Sequence, residues 1–405
     1  MFKKMTMHQR RSLLAAAALM FAYGLANNTL GFFVTPVTQS LGSSRAAFNF
    51  YYTIMSIVSL VIAPVFGQLL NRVKVGKIVL AGCVVGALCF LAFSFCRVMP
   101  MFYLVAFFLG IVQNGCTSVT AVVIIHRAFT EDSGTATGFA MAGTGICSLI
   151  MSLILPSFIG ALGWAAGYQL QAILWAVMTF AAVLLTRRAA VDPSSPTAPD
   201  TADAEGQGSG ATFSQAMHSP RLFVLITVVI LLNMAMIFSH HMPAFFIEMG
   251  CSATLSGMIM GVFSVFLIIC KIGLGTLFDK IGAKRTTLIA FFCFASGLWF
   301  MLFGNTPLLC LGAAFSAFGM ASSTVLVPLV TKRIFGTRDF APIWSIISMA
   351  TVLGCALGSP AWGMVYDFLG TYKPAVIIVP FIVIADGLIL VRMMSDKRAV
   401  IWEDK

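Results

Sequence analysis

Long apolar runs, broken by short clusters of charged residues, set the rhythm of this chain. The pattern predicts helical spans near residues 12–38, 46–70, 78–97, 100–126, 134–161 and 167–186, then near 222–247, 254–278, 286–304, 307–331, 342–367 and 374–394. A bilayer-crossing helix needs about 20 apolar residues, and about 25 when tilted, a length these runs approach or exceed. Between the two sets lies VDPSSPTAPDTADAEGQGSGATFSQAM, residues 191–217, rich in Pro, Ser, Gly and Asp and unlike anything around it. It reads as a flexible cytoplasmic linker. The expected architecture is an all-α membrane protein of twelve transmembrane helices, with six-helix bundles at 1–190 and 218–405.

Composition agrees with this pattern. Of 405 residues, 59% are hydrophobic and 10% are charged, so twelve spans of roughly 20 to 25 residues leave little chain for a soluble catalytic domain. The net charge of +11 would suggest nucleic acid in a soluble protein. Its placement gives another reason. Lys3, Lys4, Arg10 and Arg11 precede the first span, and the loops on the same side carry Arg72, Lys74, Lys77, Arg127, Arg187, Arg188, Arg221, Lys280, Lys284, Arg285, Lys332, Arg333 and Arg338. Arg392, Lys397, Arg398 and Lys405 follow the last span, whereas the opposite side holds only Arg45, Arg97 and Lys373. This asymmetry of 21 against 3 places both termini in the cytoplasm. Of 25 basic residues only Lys271 is left, and it falls inside the eighth span.

The first apolar run is too long for a signal-peptide core and has no small-residue cleavage pattern, so it is taken as a span. Cys83, Cys89, Cys147, Cys270 and Cys355 are scattered singly without CxxC or Cys/His spacing, and read as small buried hydrophobes. No cofactor or metal site is expected. The two halves repeat: GQLLNRVKVGKI from Gly67 lies 208 residues before GTLFDKIGAKRT from Gly275, and the same offset carries Trp164 to Tyr372. Paired six-span halves joined by a cytoplasmic loop suit a transporter whose substrate site lies near mid-bilayer.

These loops resemble the G-x-x-x-D-R-x-G-R-R signature of the major facilitator superfamily. Gly275, Asp279, Lys280, Gly282, Lys284 and Arg285 fit it well; in the first copy Gly67 and Arg72 fit, but Asn71 stands where the acid belongs. The resemblance implies that this loop latches the two bundles in the outward-facing state, with the Asn71 copy weakened. TPVTQSLGSSRAAFN from Thr35, the fifth span with Gly138, Gly143, Gly145 and Pro156, and GSPAWGMVYDFLGTY from Gly358 look like the monocarboxylate and oxalate/formate transporter group. That group commonly keeps a basic residue, usually Arg, eight positions before the signature acid, where this chain has Lys271. A lysine cannot grip a carboxylate through a bidentate fork and releases its proton more readily. The second basic residue that oxalate-type members carry in span eleven is absent: Ser345, Ser348, Thr351, Cys355 and Ser359 offer weak polar groups there.

Independently of family, a charge at membrane depth costs several kcal/mol and must face a cavity or a partner. Gly257, Gly261, Ser264, Lys271 and Gly275 share one small, polar helix face. Asp279 lies about 12 Å further toward the cytoplasm, which sets the ammonium near mid-bilayer. The alternative is a structural ion pair with Asp386, the one acid well inside another span. Secondary substrate-binding candidates are Asn27 and Asn28 in span one, Tyr51 and Tyr52 in span two, and Gln113, Asn114 and Thr117 in span four. Gly110, Gln113, Thr117 and Thr120 share a face, which interhelical hydrogen bonding would use equally well. His241, near the outer end of span seven, is either a carrier of a coupled proton or a solvated external histidine.

The expected activity is secondary transport of a small organic monoanion through the plasma (inner) membrane by a monomer, with protons co-transported. Anion exchange, efflux of drugs or metabolites, and a non-transporting sensor with the same fold are the alternatives. A membrane enzyme would need converging nucleophile, base or metal ligands at depth, and none is present in the sequence. The topology has a direct check. With Ser195→Cys in the linker, impermeant thiol reagents applied to intact cells should label no more than the native background; added labelling would overturn cytoplasmic placement.

Overall fold

The computed structural model describes residues 5–73, 75–113, 120–121, 124–125, 128–129, 133–188, 210–336 and 338–395. Two compact units divide the chain, Met1–Pro199 and Asp200–Lys405. The first unit contains α1 (Met7–Asn28), α2 (Gly31–Leu41), α3 (Arg45–Arg72), α4 (Val75–Phe93), α5 (Met99–Gln113) and α6 (Ser133–Arg188). The second contains α7 (Phe213–Met217), α8 (Pro220–Met236), α9 (Met242–Glu248), α10 (Ala253–Ile281), α11 (Ala283–Met301), α12 (Thr306–Ala321), α13 (Val327–Phe335), α14 (Phe340–Leu369) and α15 (Lys373–Ser395). A 3₁₀ turn at Ile237–His240 joins α8 to α9, and a π turn at Ser322–Leu326 joins α12 to α13.

Among the described residues the protein has no β-strand beyond one isolated bridge, Gly210 to Gly336. In hydrocarbon every backbone polar group must be satisfied within the chain, which helices do. Among the described residues eight helices are long and apolar enough to cross a membrane, or nine with α1 and α2 as one span bent by 41°. One of the eight, α6, has 56 residues and would be about 84 Å long if straight, against a hydrocarbon core of about 30 Å. It breaks at Gly163, where φ is 84° and ψ is 166°, a conformation open to glycine. The chain then turns back: a Cβ on Gly167 would lie 2.9 Å from Cγ1 of Ile159, whereas eight residues of straight helix separate positions by about 12 Å.

The 208-residue repeat extends into the local chemistry. Gly42 and Gly250, 208 residues apart, both adopt positive φ, at 60° and 89°. Two positions later Ser44 accepts the Ala47 N–H at 3.1 Å, and Ser252 accepts that of Leu255 at 3.2 Å, starting α3 and α10 alike. Packing repeats as well. In the first unit α1 lies along α6, α3 against α5 and α4 against α6; in the second α8 lies along α14, α10 against α12 and α11 against α15. Small residues allow these approaches: a Cβ on Gly143 of α6 would sit 2.5 Å from the Ala17 carbonyl of α1. Outward-facing apolar side chains such as Leu88, Ile272, Phe292 and Phe381 supply the surface that lipid contacts.

Several expectations require correction. Span 12–38 is not one straight helix but bends between Asn28 and Gly31, and span 222–247 breaks at Ile237–His241 before Pro243 restarts it as α9. Proline has no N–H to continue the helical ladder and is best accommodated in a first turn, where Pro243 stands. Of the expected linker 191–217, residues 210–217 lie within the described residues, and they carry structure. Ala211 donates to the Phe335 carbonyl at 2.8 Å, and the Phe213 N–H donates to Asp339 Oδ2 at 2.6 Å. Thr212 and Gln215 form a capping box that starts α7. A T-x-x-Q start signal thus opens a helix inside the segment expected to be a flexible linker.

Gly282 provides a stability test. It ends α10 at φ 85°, ψ 158°, and its N–H bonds the Phe278 carbonyl at 3.1 Å, whereas Gly275 is helical with open space where a Cβ would point. Gly282→Ala should lower stability by more than about 1 kcal/mol, and Gly275→Ala should leave it equal or raised. Thermal unfolding of both variants in detergent measures the difference.

Candidate functional site

Lys271 lies on α10, about 27 Å from its start and about 15 Å from its end at the rise of a regular helix. The buried stripe of this helix runs through Gly257, Met260, Gly261, Ser264, Leu267, Cys270 and Leu274, and Lys271 stands at its margin, half-buried. Toward the C-terminal end the surroundings open: a Cβ at Gly273 or Gly275 would meet nothing within 4 Å. The expected small face is therefore closely packed only in its N-terminal half. Among the described residues Lys271 has no hydrogen-bond or ion-pair partner. A structural ion pair with Asp386 is not formed. The Asp386 carboxyl is buried on α15 with its Oδ2 unpartnered.

The second unit also contains a polar cluster that sequence reading missed. Asn233, fully buried on α8, donates to the Val229 carbonyl at 2.7 Å, while its Oδ1 accepts Ser323 Oγ at 2.7 Å and lies 3.7 Å from Cys355 Sγ. Ser323 sits in the π turn, a helix irregularity often found at functional positions. A lone Asn within the apolar run VVILLNMAM was the available signal.

His241 is not a solvated external residue. It is fully buried at the broken part of the span, with Nε2 2.9 Å from the Ser359 carbonyl and Nδ1 2.9 Å from the Tyr372 hydroxyl. A carbonyl only accepts, so Nε2 carries the proton, and in the neutral ring Nδ1 accepts from Tyr372. Glu248, at the end of α9, holds this arrangement from outside by accepting the Thr371 hydroxyl and, at 3.3 Å, the Tyr372 N–H. Phe238, Phe245 and Tyr366 pack around the Tyr372 ring.

In the first unit two of the expected residues meet. Asn27 Nδ2 donates to the Tyr23 carbonyl at 3.0 Å and lies 3.4 Å from Gln113 Oε1, so α1 and α5 join through amides as α8 and the π turn join through Asn233 and Ser323. Asn28 belongs elsewhere, donating to Ser148 Oγ of α6 at 2.7 Å. Gly110 serves packing, since a Cβ there would lie 2.6 Å from the Met55 carbonyl. Tyr51 and Tyr52 are buried on α3; Tyr51 packs against Phe48 and Phe93 in an aromatic cluster that continues to Phe102 and Tyr168. Gln171, another residue the sequence reading passed over, donates to Thr29 Oγ1 at 2.5 Å, at the bend between α1 and α2. Asn114 and Thr117 lie outside the described residues, as do the surroundings of Gly67 and the side chains of Asn71 and Arg72.

The second signature loop is described in full. Asp279, Lys280, Lys284 and Arg285 are exposed around the turn at Gly282. Asp279 stands two residues before the end of α10, where the negative end of the helix dipole disfavours a carboxylate. Helix stability therefore does not account for it.

Repeated helical units, broken spans and an unpaired cation at membrane depth define the chain as a multi-pass membrane protein of the transporter class. The profile of the Major Facilitator Superfamily matches residues 16–290 and, again, 248–405. The chain belongs to this superfamily of secondary transporters. No curated protein matches it.

The histidine clamp yields a test. His241→Phe takes the ring from between the Ser359 carbonyl and the Tyr372 hydroxyl, and Tyr372→Phe leaves the buried Nδ1 of His241 without a donor, so each should cost about 1–3 kcal/mol. Chemical unfolding of the two variants and their combination should show a non-additive total, because the residues share one network.

Proposed function

We propose that the protein carries a small organic monoanion of the monocarboxylate type across the plasma membrane, by alternating access of twelve spans with both termini cytoplasmic. The observation that supports this reading is Lys271: a half-buried lysine well inside α10, with no hydrogen-bond or ion-pair partner among the described residues. An uncompensated charge at such depth costs several kcal/mol, which a bound carboxylate would offset. Asn27 with Gln113, Asn233 with Ser323, and Tyr51 and Tyr52 are secondary polar contributors in this proposal, as are Asn28, Asn114 and Thr117.

Proton symport is the proposed coupling. Moving one anion inward against a negative-inside potential costs about 2.3 kcal/mol per 100 mV, and a proton moving with it removes that cost. Lys271 and His241 are the proposed proton carriers. The hydroxyl of Tyr372 can accept from Nδ1 as readily as donate to it, so His241 can change charge without losing this contact. Exchange of one anion for another would balance charge equally, and the pH dependence of net uptake separates the two.

Lys271→Gln should weaken substrate binding by at least about 2 kcal/mol, or about thirtyfold, while Lys271→Arg should keep appreciable binding because the charge survives. Binding to purified protein and uptake in proteoliposomes measure both; wild-type affinity in the glutamine variant would reduce Lys271 to a structural residue. Asp279→Asn should impair transport far more than Asn71→Asp, since only Asp279 has a carboxylate for charge-assisted hydrogen bonds. Equal loss in initial uptake rates would refute that asymmetry.

A further inference from the structure

A groove of about 260 Å³ opens in the second unit between α8 and α15. Phe223, Val224, Thr227 and Leu231 line it from α8, and Asp386 and Ile389 from α15. Phe223, Val224 and Ile389 belong to the exposed apolar surface, at 57%, 40% and 40%. The mouth of the groove is therefore surface that acyl chains contact. Asp386 is only 2% exposed and its Oδ2 has no hydrogen-bond partner. The one hydroxyl nearby is occupied, since Thr227 donates to the Phe223 carbonyl of its own helix at 3.0 Å. Asp386 lies about 20 Å from the start of α15 and about 13 Å from its end, well inside the hydrocarbon.

An ionised carboxylate at this depth needs a cation beside it. A metal ion would need several oxygen ligands, and this groove offers one carboxyl. An anion would be repelled, so the substrate proposed for Lys271 does not belong here. What fits is a cation with an N–H to donate to the Asp386 carboxyl and an apolar body to lie on Phe223, Val224, Leu231 and Ile389. The volume equals roughly nine water-sized groups of about 30 Å³, so the body must be compact. We propose that this groove is a lipid-facing binding site for small amphiphilic organic amines, with the ammonium paired to Asp386.

The test uses the full chain in lipid nanodiscs with tritiated N,N-dimethylphenethylamine as probe, and isopentylbenzene, its uncharged carbon isostere, as competitor. Empty nanodiscs measure partition into lipid alone. Wild-type protein should bind the amine saturably above that level, and the isostere should compete at least tenfold more weakly than unlabelled amine. Asp386→Asn should weaken amine binding at least tenfold and abolish the preference over the isostere. Leu231→Trp, which fills the groove and leaves the carboxyl in place, should weaken both ligands at least tenfold; it decides the matter together with the isostere comparison if Asp386→Asn does not fold. No saturable binding by wild-type protein, wild-type affinity in either variant, or equal competition by amine and isostere would overturn the proposal. The first of these results would leave Asp386 with a proton as its only cation.

Discussion

A lysine ammonium in the middle of a membrane-spanning helix is the constraint on which the functional reading depends. Leaving it against lipid costs several kcal/mol, and leaving it buried without a partner costs comparably. Lys271 escapes the first by standing at the margin of the buried stripe of α10. The second stands open, since no hydrogen-bond or ion-pair partner meets it among the described residues. That helix is ordinary in its outer half, where Gly257, Gly261 and Ser264 pack closely, and exceptional only where the charge lies. A structure that spends this cost without an internal ion pair has reason to meet an external anion.

The two units solve one packing problem twice. Each begins with a span that breaks, at Thr29–Leu30 in the first and at Ile237–His241 in the second, and these breaks are 208 residues apart at their start. Backbone groups freed at such a break need partners in hydrocarbon. Side chains gather there: Gln171 bonds Thr29 in the first unit, and the His241 ring spans Ser359 and Tyr372 in the second. The units differ in what fills the equivalent place. Phe33, 208 residues before His241, stacks on Tyr168 at 4.0 Å, so an apolar stack in one unit corresponds to a polar, titratable clamp in the other.

That the chain is built from long apolar helices was legible because hydrophobic run length is physically enforced by the bilayer. The segments that follow 3.6-residue spacing, such as the face through Gly257, Gly261 and Ser264, were legible for the same reason. Helix breaks were not. Pro243 signals a possible start, but whether residues 237–241 kink outward or tuck inward depends on Tyr372 and Ser359, more than a hundred residues away. His241 was misplaced for that reason, and Asn233 was overlooked because one amide in an apolar run has no periodic signature. The pairing of Asn27 with Gln113 and the separation of neighbouring Asn28, which turns to α6, follow from the 100° step between adjacent helical residues. Asp386 was visible as an acid in a span, but the open groove beside it is a property of two helices together.

The central claim is that the ammonium of Lys271 meets a carboxylate during transport. The most direct measurement compares an acid with its own amide. In proteoliposomes holding purified protein, counterflow of a labelled short-chain monocarboxylate such as lactate should be competed by unlabelled lactate, and at least tenfold more weakly by lactamide, which keeps the shape and loses the charge. Equal competition by acid and amide, or counterflow that proceeds for the amide as for the acid, would contradict it.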